Sequence, residues 1–420
     1  MKKTLLTICL TWMCFSLSAQ KIIDLSGKWS FSIDRQDNGE KEKWFSHTLN
    51  DCINLPGSMP EKLKGDEVTA KTQWTGSLYD SSYYYNPYME KYRKEGNIKF
   101  PFFLTPDKHY VGAAWYQKEV NIPADWKGER ILLFLERPHI ETTVWVNGQK
   151  TGMQNSLCVP HQYDITRYVR PGKCTITIRV DNRIKEINVG PDSHSITDQT
   201  QGNWNGIVGR ICLQTTPKTY FDDIQIYPEP EQKLARVKVV IKGAGITKIK
   251  LSAESFNTDK KHIVPAIQQE IKLNKGVTET EMVLPMGNDM LLWDEFHPAL
   301  YKLKAEVTNG KKTEIKEIQF GMRRFEIKGK WFYVNGRKTQ LRGTVENCDF
   351  PLTGYAPMDV ESWERVFRIC RSYGLNHMRF HSFCPPEAAF IAADRVGFYL
   401  QPEGPSWPNH GPKLGLGQPI

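Results

Sequence analysis

The hydrophobic pattern of the chain changes its period near Arg323, and this change predicts a multidomain fold. Before Arg323, apolar and polar residues alternate in short runs such as CTITIRV (174–180) and YKLKAEV (301–307), which is typical of strands with one buried face. After it, apolar residues of 358–373 recur at helical spacing, and strands alternate with helices. Alternating strands and helices predict parallel pairing with right-handed crossovers.

The all-β part divides into two predicted units. Residues 20–217 show short alternating strands and a strong turn signal at Asn147-Gly148, which predicts a jelly roll. Residues 218–321 give about 100 residues of short alternating strands, a length and pattern typical of an immunoglobulin-like β-sandwich.

The last part, 322–420, is predicted to be the start of a (β/α)8 TIM barrel. Its pattern is a hairpin at Asn335-Gly336, then a strand over 339–346, a helix over 358–373 and two further strands separated by a helix. Three parallel strands cannot bury both faces of a sheet, and a complete barrel takes roughly 250 residues. We therefore expect an incomplete, truncated barrel domain here.

The N-terminus has the pattern of a secretory signal. Two lysines follow Met1, an apolar stretch covers 5–17, and small residues stand at Ser18 and Ala19. The apolar stretch is too short for a membrane span. We expect residues 1–19 to be a signal peptide, the protein to be secreted or periplasmic, and no membrane span.

Composition excludes some classes of function. Hydrophobic content is 40% and charged content 25%, which suits a globular protein. The net charge of +9 comes from scattered basic residues, so no nucleic-acid partner is expected. The cysteines after the signal are widely spaced and form no CxxC, so neither a zinc site nor a cofactor is expected. They are odd in number: Cys52, Cys158, Cys174, Cys212, Cys348, Cys370 and Cys384.

Seven sequence motifs are spread over almost the whole chain. They are DLSGKWSFSID (24–34), INLPGS (53–58), GAAWYQKEVNIP (112–123), VWVNGQKTG (144–152), GNWNGIVGRICL (202–213), LWDEFHPALYKLKAEV (292–307) and FGMRRFEIKGKWFYVNGRKTQLRG (320–343). By their order and spacing, more than by any single motif, they resemble glycoside hydrolase family 2, which includes β-galactosidases, β-glucuronidases and β-mannosidases. The resemblance implies two β-sandwiches followed by a TIM barrel, and retaining hydrolysis of β-linked glycans.

Polar residues at the carboxyl ends of the predicted barrel strands are the candidate substrate-binding residues, because those ends line the site in this fold. A hydroxyl-rich sugar needs both donors and acceptors, and a tryptophan can stack on its ring. The candidates are Glu346, Asn347, Asp349, Arg379, His381, Glu403 and Trp407. The alternatives are an ion pair of Arg379 with Glu403 and simple loop packing for Trp407.

The strand-end motifs depart from the family's pattern at several positions. Val345 and Asn347 stand where the family usually has Asn and His, and His381 lies one position early. In the earlier sandwich, Trp204 and Asn205 lie in a polar loop that could reach toward the barrel, although structural packing is the favoured interpretation.

The resemblance implies that the acid/base follows an Asn on the fourth barrel strand and that the nucleophile is on the seventh. No Asn-Glu pair occurs after the second sandwich. We therefore assign no catalytic residue to this chain, which by itself is expected to be inactive.

The sequence therefore favours an exported β-glycosidase that is β-galactosidase-like and acts on an oligo- or polysaccharide. A β-glucuronidase of the same family is the first alternative. A non-catalytic carbohydrate-binding protein is the alternative from another class, and a purely structural adhesion module is a third. An oligomer is possible on this sequence.

Overall fold

A computed structural model describes residues 21–73, 75, 85–99, 102–185, 194–198 and 200–404. The predicted signal peptide and Trp407 lie outside the described residues. Within the described part of the chain, no helix is long and apolar enough to cross a bilayer.

An N-terminal sandwich of antiparallel strands comes first. Its strands are β1 (Ile22–Asp24), β2 (Gly27–Asp34), β3 (Asp51–Leu55), β4 (Gly57–Ser58), β5 (Asp66–Glu67), β6 (Lys108–His109), β7 (Ala113–Ile122), β8 (Arg130–Pro138), β9 (Glu141–Val146), β10 (Gln149–Asn155), β11 (His161–Asp164), β12 (Gly172–Asp181) and β13 (Gly206–Thr216). One sheet has the order β1-β13-β8-β11 with β4 on β13, and the other has the order β10-β9-β12-β7-β2-β3. Strands β5 and β6 pair separately.

Alternation along the strands builds the core of this sandwich. Ile176, Ile178 and Val180 are fully buried in one cluster with side chains from the other sheet, as the CTITIRV pattern predicts. The turn predicted at Asn147-Gly148 joins β9 to β10, and both residues have the positive φ that a tight hairpin requires.

A second sandwich follows, built around two long strands. Its strands are β14 (Tyr220–Glu229), β15 (Leu234–Phe256), β16 (Ile263–Pro285), β17 (Leu300–Asn309) and β18 (Lys312–Phe320). The first half of β15 pairs with β14 and its second half with β17, while β16 pairs along both halves. The register shifts between Gly243 and Gly245, where Gly245 has a φ of +89°, so the ribbon bends there.

The α/β region begins with a short antiparallel sheet. Its strands are β19 (Phe325–Lys328), β20 (Trp331–Val334) and β21 (Arg337–Thr339), and the hairpin predicted at Asn335-Gly336 joins β20 to β21. The strand predicted over 339–346 was too long. Thr339 belongs to this hairpin sheet, and the next strand begins only at Gly343 because the pairing partner changes.

Three parallel strands and two helices complete the described chain. They are β22 (Gly343–Glu346), α1 (Val360–Ser372), β23 (His377–Phe380), α2 (Glu387–Val396) and β24 (Tyr399–Gln401), with the sheet order β22-β23-β24. Asp359 caps α1 by accepting from the Ser362 amide at 2.7 Å. Trp363 and Phe367 of α1 are buried against the sheet core.

Glu295, from the LWDEFHP motif between β16 and β17, joins the second sandwich to the α/β region. Its side chain is buried. Its Oε2 accepts a hydrogen bond from Asn376 Nδ2 at 2.5 Å and lies 3.5 Å from Arg342 Nη2. Its carbonyl oxygen accepts from Arg371 Nη1 at 2.6 Å. Asn376 immediately precedes β23, so Glu295 fixes the amino ends of the parallel strands.

We predict that Glu295→Ala destabilises the folded chain by about 1–3 kcal/mol, because the buried Asn376 amide loses its 2.5 Å acceptor and keeps only the Gln340 carbonyl at 3.1 Å. The measurement is the free energy of unfolding in urea. Glu317→Ala is the control, since Glu317 is an exposed partner of Lys302 and should change stability by less than about 0.5 kcal/mol. Equal effects of the two variants would contradict the anchoring role.

Candidate functional site

The carboxyl ends of the three parallel strands meet at one edge of the sheet. Glu346 ends β22, His381 follows β23, and Glu403 follows β24. Since the strands run parallel, their polar end residues are brought together. Five of the residues predicted from sequence lie there: Glu346, Asn347, Arg379, His381 and Glu403.

Glu403 is held by two donors from the strand next to it. Arg379 Nε donates to Oε1 at 2.6 Å, and the Ser382 amide donates to Oε2 at 2.8 Å. Burial opposes ionisation, but the Ser382 amide and the Arg379 guanidinium together lower the pKa of Glu403. The ion pair that was the alternative for Arg379 is therefore present, and Glu403 is charged at neutral pH.

His381 and Asn347 form a second contact across the strand ends. His381 Nδ1 lies 3.2 Å from Asn347 Oδ1, and the His381 amide donates to the Glu346 carbonyl at 2.8 Å. The Glu346 carboxylate accepts from the Cys348 amide at 2.8 Å. Hydrogen bonds thus fix the backbone at the ends of β22 and β23.

Burial raises the pKa values of two carboxyl groups at this edge, Glu346 and Asp349. For Glu346, the neighbouring charge of Asp349 raises the pKa further. The Arg379 guanidinium and the His381 ring carry N–H donors, and the carboxyl groups of this edge are acceptors. The edge therefore offers both the donors and the acceptors that sugar hydroxyl groups require.

The N-terminal sandwich reaches this edge through residues 194–205. Gln201 Nε2 donates to the His381 carbonyl at 2.6 Å, and the His194 ring packs edge-to-face on the His381 ring with centroids 4.9 Å apart. The sequence analysis missed both residues. The signal that could have found them is the polar run SHSITDQTQGNWNG (193–206), which interrupts the alternation between two strands.

Trp204 contacts the α/β region, as its loop position suggested. Its indole is buried, stacks on the His139 ring at 4.4 Å and lies 5.6 Å from the Tyr355 ring. Trp204 therefore packs at the boundary between the N-terminal sandwich and the α/β region, which is the structural role that the sequence favoured.

Asn205 stays within the N-terminal sandwich. Its Oδ1 accepts from the Tyr116 hydroxyl at 2.8 Å, and its Nδ2 donates to the carbonyl oxygens of Gly112 and Val180 at 3.0 Å. These three bonds fix the chain where the 194–205 segment enters β13, which is the structural role that the sequence analysis favoured.

Two large hollows lie beside the strand ends rather than at them. They have volumes of about 910 and 990 Å³ and run along the boundary between the N-terminal sandwich and α2. The Arg210–Glu387 ion pair, at 2.7 Å, lines both. Asp349 lines the first hollow, so it lies at the border between the hollow and the strand ends.

Among the described residues, no group of three or more His, Cys, Asp or Glu side chains is placed to hold a metal ion.

Comparison with known proteins identifies the family. Residues 22–217 match the model of the glycosyl hydrolases family 2 sugar binding domain, and residues 219–323 match a second glycosyl hydrolases family 2 model. The chain belongs to glycoside hydrolase family 2.

Relatives include both activities expected from the sequence. A β-galactosidase of Thermoanaerobacter pseudethanolicus is 25% identical over 334 residues, covering 75% of this chain and 42% of the relative. The human β-glucuronidase is 23% identical over 420 residues, covering 91% of this chain and 57% of the relative. The chain thus spans about half the length of these relatives.

Solved structures share the fold. A glycosyl hydrolase family 2 member from Bacteroides cellulosilyticus superposes with a TM-score of 0.65 at 19% identity, covering 91% of this chain and 47% of the other. A Bacteroides uniformis β-glucuronidase gives a TM-score of 0.65 at 18% identity, covering 93% and 43%.

We predict that stability falls as His139 is forced to accept a proton. Burial lowers the pKa of His139 from 6.5 to about 3. The contribution of neutral His139 to the free energy of unfolding is therefore complete above pH 6.5 and is lost as pH falls toward 3. By pH 4 the loss is roughly 3 kcal/mol.

The measurement is the unfolding free energy at pH 7 and pH 4 for the wild type and for His139→Gln, which should show a smaller decrease. His297→Gln is the control, because His297 is 82% exposed and its replacement should leave the pH profile unchanged. Parallel profiles for wild type and His139→Gln would contradict this role.

Proposed function

We propose that this chain forms the sugar-binding part of a retaining β-glycosidase that is β-galactosidase-like. In this proposal residues 20–217 are a jelly roll, 218–321 an immunoglobulin-like sandwich and 322–420 the first part of a (β/α)8 barrel. Family membership and the parallel order β22-β23-β24 support it. Residues 1–19 act as a signal peptide, and the protein is secreted or periplasmic.

The charge distribution at the strand ends decides which sugar we propose as the substrate. Arg379 is paired with Glu403, while Glu346 and Asp349 add carboxyl groups whose pKa values are raised by burial. The carboxylate of a uronic acid would meet the ionised Glu403 and these two further carboxyl groups, at a cost in desolvation and repulsion. The hydroxyl groups of a neutral sugar can bind both charged and neutral carboxyl groups.

A β-glucuronidase is the second candidate, because several relatives bear that name. It requires a cation that is free to bind the uronate. Within the described strand ends the guanidinium of Arg379 is already bound by a carboxylate at 2.6 Å, which favours the neutral sugar.

Retaining hydrolysis uses two carboxyl groups roughly 5 Å apart, a nucleophile and a general acid/base. We propose that neither comes from residues 343–404. Both oxygens of Glu403 are occupied by donors, and Glu346 is held against the Cys348 amide, so these groups orient a sugar instead of attacking it. Glu346 and Glu403 accept hydrogen bonds from the sugar hydroxyl groups, and with the His381 ring they fix one side of the terminal ring, which aligns its glycosidic bond for the catalytic pair.

We predict that this chain binds galactose more tightly than glucuronate in an NMR titration. Glu403→Ala should weaken galactose binding roughly tenfold, because one charge-assisted contact and the orientation of Arg379 are lost together. Glu361→Ala, at an exposed position on α1, is the matched control and should have no effect. A preference for glucuronate would favour the uronidase instead.

Turnover is tested with aryl β-glycosides and the protein produced from its complete reading frame. Hydrolysis of the β-galactoside with retention of anomeric configuration is the expected result. Galactose binding without any hydrolysis by that protein would identify a non-catalytic carbohydrate-binding protein.

Export is tested separately. We predict that the protein, expressed in a bacterium, is recovered outside the cytoplasm with its N-terminus near residue 20, as measured by mass spectrometry of the fractions. Replacing both Lys2 and Lys3 with glutamate should retain the uncleaved chain in the cytoplasm. Recovery of intact chain beginning at Met1 from the cytoplasm of wild-type cells would contradict this proposal.

A further inference from the structure

An aromatic excursion leaves the N-terminal sandwich between β5 and β6. These two short strands pair with each other, and residues 68–107 join them in the sequence. The described part contains two short 3-10 helices, Pro87–Tyr92 and Phe102–Leu104. Its sequence is rich in tyrosine and phenylalanine, which sets it apart from the alternating strands around it.

Two of its tyrosines are almost completely in solvent. Tyr85 is 83% exposed and Tyr88 is 85% exposed. Exposed aromatic side chains that lie close together in sequence are a common feature of binding surfaces. The flat face of a sugar ring packs well on such a ring, and the phenolic hydroxyl can bind the sugar's own hydroxyl groups.

The backbone that carries these tyrosines is held in place. Asn86 caps the first 3-10 helix by accepting from the Tyr88 amide at 3.0 Å, with Pro87 at the first helical position. Tyr92, at the end of this helix, packs edge-to-face on Phe103 with ring centroids 5.8 Å apart. The backbone that carries Tyr85 and Tyr88 is therefore ordered before a ligand binds, which reduces the entropy lost on binding.

The same stretch is basic. Residues 85–99 contain four basic and two acidic side chains, a net charge of +2. Lys91 lies 4.7 Å from the Tyr92 ring centroid. Lys94 pairs with Glu90 at 3.1 Å, but both side chains are mostly exposed, and such a surface pair opens at little cost, unlike the partly buried pair of Arg379 and Glu403. Exposed lysines within a few residues of exposed rings suit a ligand that combines sugar rings with negative charges.

Contacts connect this excursion to the candidate site. At its base, His109 Nε2 lies 3.1 Å from the buried Asp198 Oδ2. Thr105 packs so closely on Gly202 that a side-chain carbon there would lie 3.1 Å from its methyl group. The neighbouring Gln201 donates to the His381 carbonyl at the strand ends. The base of the excursion, at Thr105 and His109, therefore lies next to the segment that contacts the strand ends.

We propose that the excursion binds the acidic remainder of the glycan substrate, with sugar rings stacked on Tyr85 and Tyr88 and with carboxylate or sulfate groups on Lys91 and Lys94. This proposal rests on the proposed glycosidase function and specifies its substrate: a chain that ends in a neutral sugar and carries negative charge further along.

The test is binding of this chain to immobilised polysaccharides by biolayer interferometry. The probes are alginate, which carries uronates, carrageenan, which carries sulfates, and neutral dextran. The wild type should bind at least one acidic probe in a salt-dependent manner and should not bind dextran. The preferred acidic probe identifies the anionic group.

The double variant Tyr85→Ala/Tyr88→Ala should bind the acidic probe roughly tenfold more weakly, the effect of losing two stacking contacts. Tyr373→Ala is the matched control, since Tyr373 is 81% exposed at the far end of α1, and it should bind like the wild type. Lys91→Ala/Lys94→Ala should reduce binding at low salt, whereas Lys173→Ala, at another exposed lysine, should not.

Unchanged binding in the tyrosine double variant, or equal binding to dextran and to the acidic probes, would overturn the proposal. Galactose titration of the same double variant separates a failure of this proposal from a failure of the proposed function. Normal galactose binding with weakened polysaccharide binding supports both. If the chain does not bind galactose but the double variant loses polysaccharide binding, the result supports the excursion as a binding surface. It then contradicts only the proposed glycosidase site.

Discussion

The packing of Trp204 against His139 and Tyr355 is the contact on which the candidate site depends. It closes the boundary between the N-terminal sandwich and the α/β region. Just before it in the chain, Gln201 bonds the carbonyl of His381. A shift of Trp204 would therefore move a strand-end residue directly, because only a few backbone bonds separate the buried indole from the polar edge.

The three parallel strands are fixed at both ends by different sandwiches. Glu295 of the second sandwich holds their amino ends through Asn376, and the 194–205 segment of the N-terminal sandwich lies against their carboxyl ends. A parallel sheet this small cannot bury its own faces. The neighbouring domains supply part of the missing burial and polar contacts, so the strand-end residues occupy defined positions.

Most of the fold follows from sequence periodicity, because period-2 and period-3.6 patterns report local burial directly. Strands around Ile176 and the helix containing Trp363 were predictable for this reason. The extent of the 339–346 strand was not, since the hairpin and the parallel strand differ in their pairing partners and not in their pattern. Gln201 and His194 were missed for a related reason: their role comes from a domain contact that no local pattern encodes.

The candidate site contains carboxyl groups in two different environments, and this difference sets what it can bind. Glu403 is charged because an amide and a guanidinium stabilise its ionised form. Burial raises the pKa of Glu346, although backbone amides, among them that of Cys348, hydrogen-bond to its carboxyl group. These carboxyl acceptors, beside the N–H donors of Arg379 and His381, match adjacent sugar hydroxyl groups, each of which both donates and accepts. A second negative charge on that sugar would remove this match, which is why we place the negative charge of the substrate at the basic excursion instead.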